Sequence, residues 1–245
     1  MKKLFKLSLL FASLIIAVAS CEIDNYPGPD AKFFGAIKDE SGGGLVETDL
    51  INGSTLGMYE QGYPTPVLQT YLIKQNGEFL NNLVFSGTYN IKFESCNFFP
   101  FNVDGVVINP GDNERDFTVS PYIRIKNCSI TYDQAGKKIN ASFNLEAGKP
   151  TVLLSKITLY AFTDIYVGEY VKMTLSAGTG KPSTSYSPAA VIDPATPYTL
   201  SIDLAANATL FSVHRNYYFR VGAMASQSGV GTIRTNYAPC VKIAL

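Results

Sequence analysis

Thr88 to Glu94 alternates without interruption, with Tyr89, Ile91 and Phe93 on one side and Asn90, Lys92 and Glu94 on the other. Successive side chains of an extended chain point to opposite faces, so the pattern describes a strand with one buried and one wet face. The same period recurs along the chain. Lys32 to Asp39 sets Phe33, Gly35 and Ile37 against more mixed neighbours, and Leu56–Glu60, Leu68–Ile73 and Phe117–Val119 are further strand candidates. Gly42-Gly43-Gly44, Asn76-Gly77 and Asn109-Pro110-Gly111-Asp112 supply the turns, and Asp112 to Asp116 reads as a polar turn between strands. Tyrosine, valine and threonine, with turn residues at short intervals, favour strands over helices throughout.

Ser120-Pro121 interrupts this series and a second one follows. Ile139, Ala141, Phe143 and Leu145 alternate with Asn140, Ser142 and Asn144. Ile157, Leu159 and Ala161 come next, then Tyr198, Leu200, Ile202 and Leu204, and Val241, Ile243 and Leu245 suit a closing strand. Lys181 to Pro197 carries four prolines among serine and threonine and reads as a long loop. The expectation is an all-β chain of two tandem β-sandwich domains, 32–119 and 120–245. Their charges differ in sign: Glu22–Val119 holds fourteen acids against five bases, and Ser120–Leu245 six against twelve. Such halves either attract one another or turn the basic one toward an anionic surface. The charges are scattered, which favours an ordinary solvated surface, and no basic run with interleaved aromatics points to nucleic acid.

The first twenty residues are of another kind. Lys2, Lys3 and Lys6 precede an apolar run from Leu7 to Val18, too short to span a bilayer comfortably and of the length of a signal-peptide core. It ends Val18-Ala19-Ser20-Cys21, similar to a bacterial lipobox, so 1–20 is expected to be a cleaved signal peptide and Cys21 the lipidated residue. Two or three acyl chains, at ~0.8 kcal/mol per buried methylene, make such an anchor effectively permanent. Residues 21–31, with Pro27-Gly28-Pro29, read as a tether.

Little in the sequence supports catalysis. His214 is the sole histidine, it sits at a turn, and no G-x-S-x-G elbow is present. Gly178-Thr179-Gly180-Lys181 lacks the first glycine of a phosphate loop and has Pro182 where a magnesium-binding hydroxyl belongs. No spaced Cys/His cluster offers a metal site, and no cofactor is implied. Cys96, Cys128 and Cys240 permit one disulfide at most. Cys128 and Cys240 suit a pair, and burial as small apolar side chains is the favoured alternative. Binding remains. Sugars are held by flat aromatic faces, and the candidates are Tyr59, Tyr63, Phe98, Phe99, Tyr186 and, best placed, Tyr166 and Tyr170 with Glu169 between them in one loop.

Three stretches carry resemblances. Gly35-Ala36-Ile37-Lys38-Asp39, Asn76-Gly77-Glu78-Phe79 and Leu83 to Tyr89 resemble the three blocks of the carboxypeptidase-regulatory-like fold, a small transthyretin-like sandwich, with Asn76 in place of the usual aspartate. Tyr217 to Ala223 resembles the Y-x-F-x-V-x-A strand of fibronectin type III domains, which implies a corner hydrogen bond from Tyr217. End to end, the chain resembles a Bacteroidetes surface-lipoprotein family built on a domain of unknown function. The resemblance implies a non-catalytic outer-membrane lipoprotein, facing the cell surface and accessory to a starch-utilisation-type glycan-uptake system. Its partners would be the membrane, through the anchor, and polysaccharide or uptake-complex proteins. The alternative is a purely structural spacer or assembly protein. Glu22 and Asp24 directly after Cys21 are similar to the surface-export signal of such lipoproteins. Cys21→Ala should abolish incorporation of labelled palmitate in growing cells, and equal labelling of the two proteins would refute the anchor.

Overall fold

The computed structural model describes residues 27–245; the expected signal peptide, Cys21 and the first part of the expected tether lie outside them. Among the described residues the regular structure is entirely β. In the first domain β1 (Ala31–Asp39) lies between β4 (Glu78–Val84), antiparallel to it, and β7 (Gly111–Glu114) and β8 (Phe117–Val119), both parallel to it. The facing sheet runs β3 (Leu68–Leu72), β2 (Thr55–Glu60), β5 (Gly87–Phe93), β6 (Phe101–Ile108). Phe33 and Ile37 from the first sheet meet Leu56, Met58, Tyr89, Ile91 and Phe93 from the second in one apolar core. The alternation of β5 therefore marks its inner face.

The second domain packs β13 (Pro197–Asp203), β10 (Lys138–Ala147) and β9 (Ile123–Asp133) against a second sheet. That sheet runs β12 (Ser183–Val191), β11 (Leu153–Phe162) and β14 (Asn216–Ser226), with β15 (Asn236–Tyr237) and β16 (Val241–Ala244) both on β14. Ile139, Ala141, Phe143 and Leu145 fill its core with Leu159, Leu200, Ile202, Phe219 and Val221. Each domain also ties a buried tyrosine to a carbonyl four residues upstream: Tyr89 Oη donates to Phe85 at 2.8 Å and Tyr217 Oη to Val213 at 2.9 Å. The turn at Asn76-Gly77 requires its glycine, because Gly77 has φ of +87° and a Cβ there would come within 2.7 Å of the Val46 carbonyl.

Several expectations are corrected. Lys181–Pro197 is not a long loop, because it contains β12, an outer strand paired with β11. Proline survives there because Pro188 falls in the irregular stretch between the paired Ser185 and Ala190, where no ladder hydrogen bond is lost. Asp112–Asp116 is not a turn: Asp112 to Glu114 belong to β7, where Asp112 pairs with Lys32, and Asp116 then bonds the Ala36 amide and Lys38. Charges are tolerated because β7 lies at the margin of its sheet. For the cysteines the favoured reading holds and the Cys128–Cys240 pair does not form: Cys96, Cys128 and Cys240 are all free thiols. Burial pushes Cys96 up to about 12 and Cys128 and Cys240 up to about 11, so all three stay protonated and inert near neutral pH.

The Gly178-Thr179-Gly180 turn already holds an anion from its own chain. The Asp203 carboxylate accepts from the Thr179 amide at 2.9 Å and hydroxyl at 2.8 Å, and from the amides of Ala205 and Ala206. These bonds, that of the Thr179 amide foremost, lower its pKa from 3.8 to about 2. A depressed carboxylate pKa contributes stability that is present above the unfolded value and lost as pH falls through the folded one. Asp203→Asn should therefore be less stable than wild type at pH 6, with the two urea midpoints converging as pH falls from about 4 to about 2. A constant gap across that window would contradict the assignment.

Candidate functional site

Arg220 lies on the outward side of β14, between the inward-facing Phe219 and Val221, where alternation alone predicts a solvated residue. It is instead 0% exposed, because the first domain covers this face. All five of its N–H donors find acceptors. Nε donates to the Ala238 carbonyl at 3.0 Å, and Nη1 to the carbonyls of Thr48 at 2.9 Å and Val167 at 3.4 Å. Nη2 donates to Glu47 Oε2 at 2.5 Å and to the Gln75 carbonyl at 3.5 Å. The guanidinium also lies 4.1 Å from the centroid of the Tyr237 ring. Burial raises the Glu47 carboxyl above its usual value, against the pull of Arg220. Four stretches of chain thus meet on one side chain: 47–48 and 75 from the first domain, and the loop after β11 and Ala238 from the second.

That loop carries Tyr166, Glu169 and Tyr170, and its base is built into the junction. Val167 is fully buried with Tyr160 and Tyr237. Asp49 Oδ2 accepts from the Glu169 amide and the Tyr237 hydroxyl, both at 2.8 Å. Gly168 is necessary here, since a Cβ would meet Asp49 Oδ2 at 2.5 Å. Gln75 Nε2 donates to the Ile165 carbonyl at 2.8 Å, pinning the near side of the loop. The Glu169 side chain turns back onto the protein, accepting from the Tyr160 hydroxyl and from Lys172 at 2.9 Å, with Lys156 at 3.7 Å. Burial works to raise its pKa, yet those bonds and the lysine charges hold the carboxylate below its usual range. Glu169 thus serves the loop as a brace. Tyr166 and Tyr170 remain free at 49% and 58% exposure, beside exposed Ile165.

The other aromatic candidates separate clearly. Phe98 is a core residue packed on Phe93, and Phe99 lies against Tyr122 beneath Lys149, so neither offers a binding face. Tyr59 belongs to β2 beneath Lys92, and Tyr186 belongs to β12 and packs on the core. Tyr63 alone among them is exposed. His214 is exposed near the start of β14. Among the described residues no three His, Cys, Asp or Glu side chains group as a metal site.

A groove of about 480 Å³ also follows the seam between the domains, lined by Asp39, Leu45, Arg124, Lys126 and Asn236 among others. Its polar walls are already occupied. Arg124 grips Asp39 with two bonds of 2.7 Å and reaches Glu146 at 3.3 Å, and Asn236 bonds the Asn97 carbonyl and the Ile123 amide. The seam therefore joins the domains and leaves few polar groups for a ligand.

A family profile described as "Protein of unknown function (DUF3823) N-terminal domain" matches residues 32–120, and its C-terminal counterpart matches residues 123–242. A provisionally assigned carbohydrate-binding protein of Bacteroides uniformis is 47% identical, with a TM-score of 0.84 over 89% of this chain and 100% of its own. DUF3823 family proteins of Bacteroides ovatus and Parabacteroides merdae share the fold at 19% and 20% identity, each with a TM-score of 0.69. They cover 88% and 89% of this chain and 99% and 100% of their own. Among curated proteins none matches the sequence.

Arg220→Met should cost ~3–5 kcal/mol in urea unfolding, because Glu47, mostly covered, loses its partner charge and four carbonyls lose their donor. Adding Glu47→Gln should recover at most about half of that loss, since four carbonyls remain without their donor. Full recovery in the double variant would show that the charge pair, and not the set of carbonyls, holds the junction.

Proposed function

The chain belongs to the DUF3823 family, and from that premise we propose that it is a non-catalytic, lipid-anchored protein of the outer-membrane surface. It binds glycan through the loop after β11, as an accessory part of a polysaccharide-uptake system. The observation that carries this reading is the loop itself: two exposed tyrosines on a base locked by Val167, Gly168 and Glu169. A rigid base lets aromatic rings meet a sugar ring without a large ordering cost, which favours stacking as the source of affinity. Glu169, the one carboxylate between the rings, is engaged by Tyr160, Lys172 and Lys156 and is held ionised, which suits a structural anion better than a general acid. The carbohydrate-binding assignment of the 47%-identical relative supports the same ligand class. A three-stranded sheet facing a five-stranded one, in which short β15 and β16 share one edge of β14, supports a fibronectin type III-like arrangement, and the Tyr217 bond supports its corner tyrosine.

Anchoring through Cys21 supplies the setting. Stacking on two rings gives weak affinity, and neighbouring binders held in the same membrane raise it through avidity. In a glycan-array screen followed by calorimetry with a hit, Tyr166→Ala and Tyr170→Ala should each weaken binding about tenfold, ~1.4 kcal/mol, at an unchanged thermal midpoint. Affinity retained in both variants would remove the loop from consideration. An array without hits at millimolar glycan, together with recovery of uptake-complex proteins by pull-down, would favour the assembly role.

A further inference from the structure

The first domain leaves a flank uncovered. Among the described residues β3 pairs only with β2, and β4 only with β1, so no described strand pairs with the outer edge of either. The two edges lie side by side, joined by the turn through Asn76-Gly77. Large apolar residues are exposed on both strands, on opposite outer faces of the sandwich: Leu68 and Leu72 on β3, with Tyr63 and Val67 just before it, and Leu80 on β4. Open edges of soluble proteins are ordinarily blunted by charge, proline or a bulge. β4 carries Glu78 and a bulge near Ala31. β3 has none of these: its register with β2 is regular, and no charged residue occurs from Gln61 to Ile73.

We propose that the β3 edge is the pairing surface for a second copy of this chain, antiparallel about Thr70. The sequence Leu68-Gln69-Thr70-Tyr71-Leu72 is self-complementary about its centre. A two-fold axis at Thr70 sets each Leu68 opposite Leu72 of the other copy, with Thr70 facing Thr70. Gln69 then faces Tyr71, the same two side chains that bond at 2.6 Å within one chain. A closed, isologous pair uses one patch on both copies and leaves no edge to propagate. Charge agrees with this occupant. The first half of the chain is strongly acidic, so two copies can approach only through an uncharged seam, which the stretch from Gln61 to Ile73 provides. Pro64 and Pro66 end the edge on one side and limit the pairing to the five residues of β3.

Sedimentation of the full chain in density-matched detergent, over a range of concentrations, tests this directly. A monomer–dimer equilibrium is expected. Leu68→Lys with Leu72→Lys places lysines opposite one another, and should weaken association about tenfold or more at an unchanged thermal midpoint. Thr70→Cys should form a disulfide-linked dimer under mild oxidation, whereas Val213→Cys, exposed on the second domain, should not. A monomer at every concentration, equal cross-linking of the two cysteine variants, or dimerisation indifferent to the lysines would each overturn the proposal. So would a monomer that takes up an added strand peptide.

Discussion

Arg220 has no solvent to fall back on. Its charge and five donors are satisfied by groups from both domains, so the relative placement of the two sandwiches is the condition under which this residue can be buried at all. An unpaired guanidinium in an apolar interior would cost several kcal/mol, and few alternative docking geometries would present four carbonyls and a carboxylate to one planar fork. The network around it extends the same logic. Asn97 bonds Glu47 and Thr235, and Arg124 bonds Asp39 across the junction. A buried ion pair is weak evidence for stability, but a fully satisfied one specifies orientation, and that is its part here.

The opposite charges of the two halves acquire a concrete meaning at this junction. Scattered acids and bases suggest a solvated surface, and most of them are solvated. A few are not: Asp39, Glu47 and Asp49 from the acidic half meet Arg124, Arg220 and Tyr237 from the basic one. The attraction read from net charge is thus delivered in part by the Asp39–Arg124 and Glu47–Arg220 pairs, where desolvation makes each one selective for its partner.

The strands were legible because sheet periodicity is local. Phe33, Ile91, Phe143 and Leu200 occupy the inner faces that their alternation assigns, and Tyr217 makes the corner bond that its strand implies. β12 was illegible for the same reason. Serine, threonine and proline describe a loop unless a neighbouring strand supplies the pairing, and β11 supplies it from thirty residues away. The loop of Tyr166 and Tyr170 could be named from composition, but not the means by which it is held. The Glu169 carboxylate is engaged by Tyr160, Lys172 and Lys156 of its own domain, and Arg220 is buried. The burial of Arg220 comes from the first domain, whose coverage of β14 leaves no periodic trace in the strand it covers. The nearest signal was the mismatch of a long charged residue within the otherwise apolar run Tyr217 to Ala223.

β-Sandwiches are commonly reused as interchangeable beads, joined by linkers that ask nothing of their neighbours. The acceptors of Arg220 forbid that here. Exchanging either domain for a distant relative's would have to preserve, at once, the carbonyl positions of Thr48, Gln75, Val167 and Ala238 and the carboxylate of Glu47. Descent should therefore carry the two halves as a single inherited cassette, with recombination breakpoints falling outside the pair and compensating substitutions appearing in step on either side of residue 120.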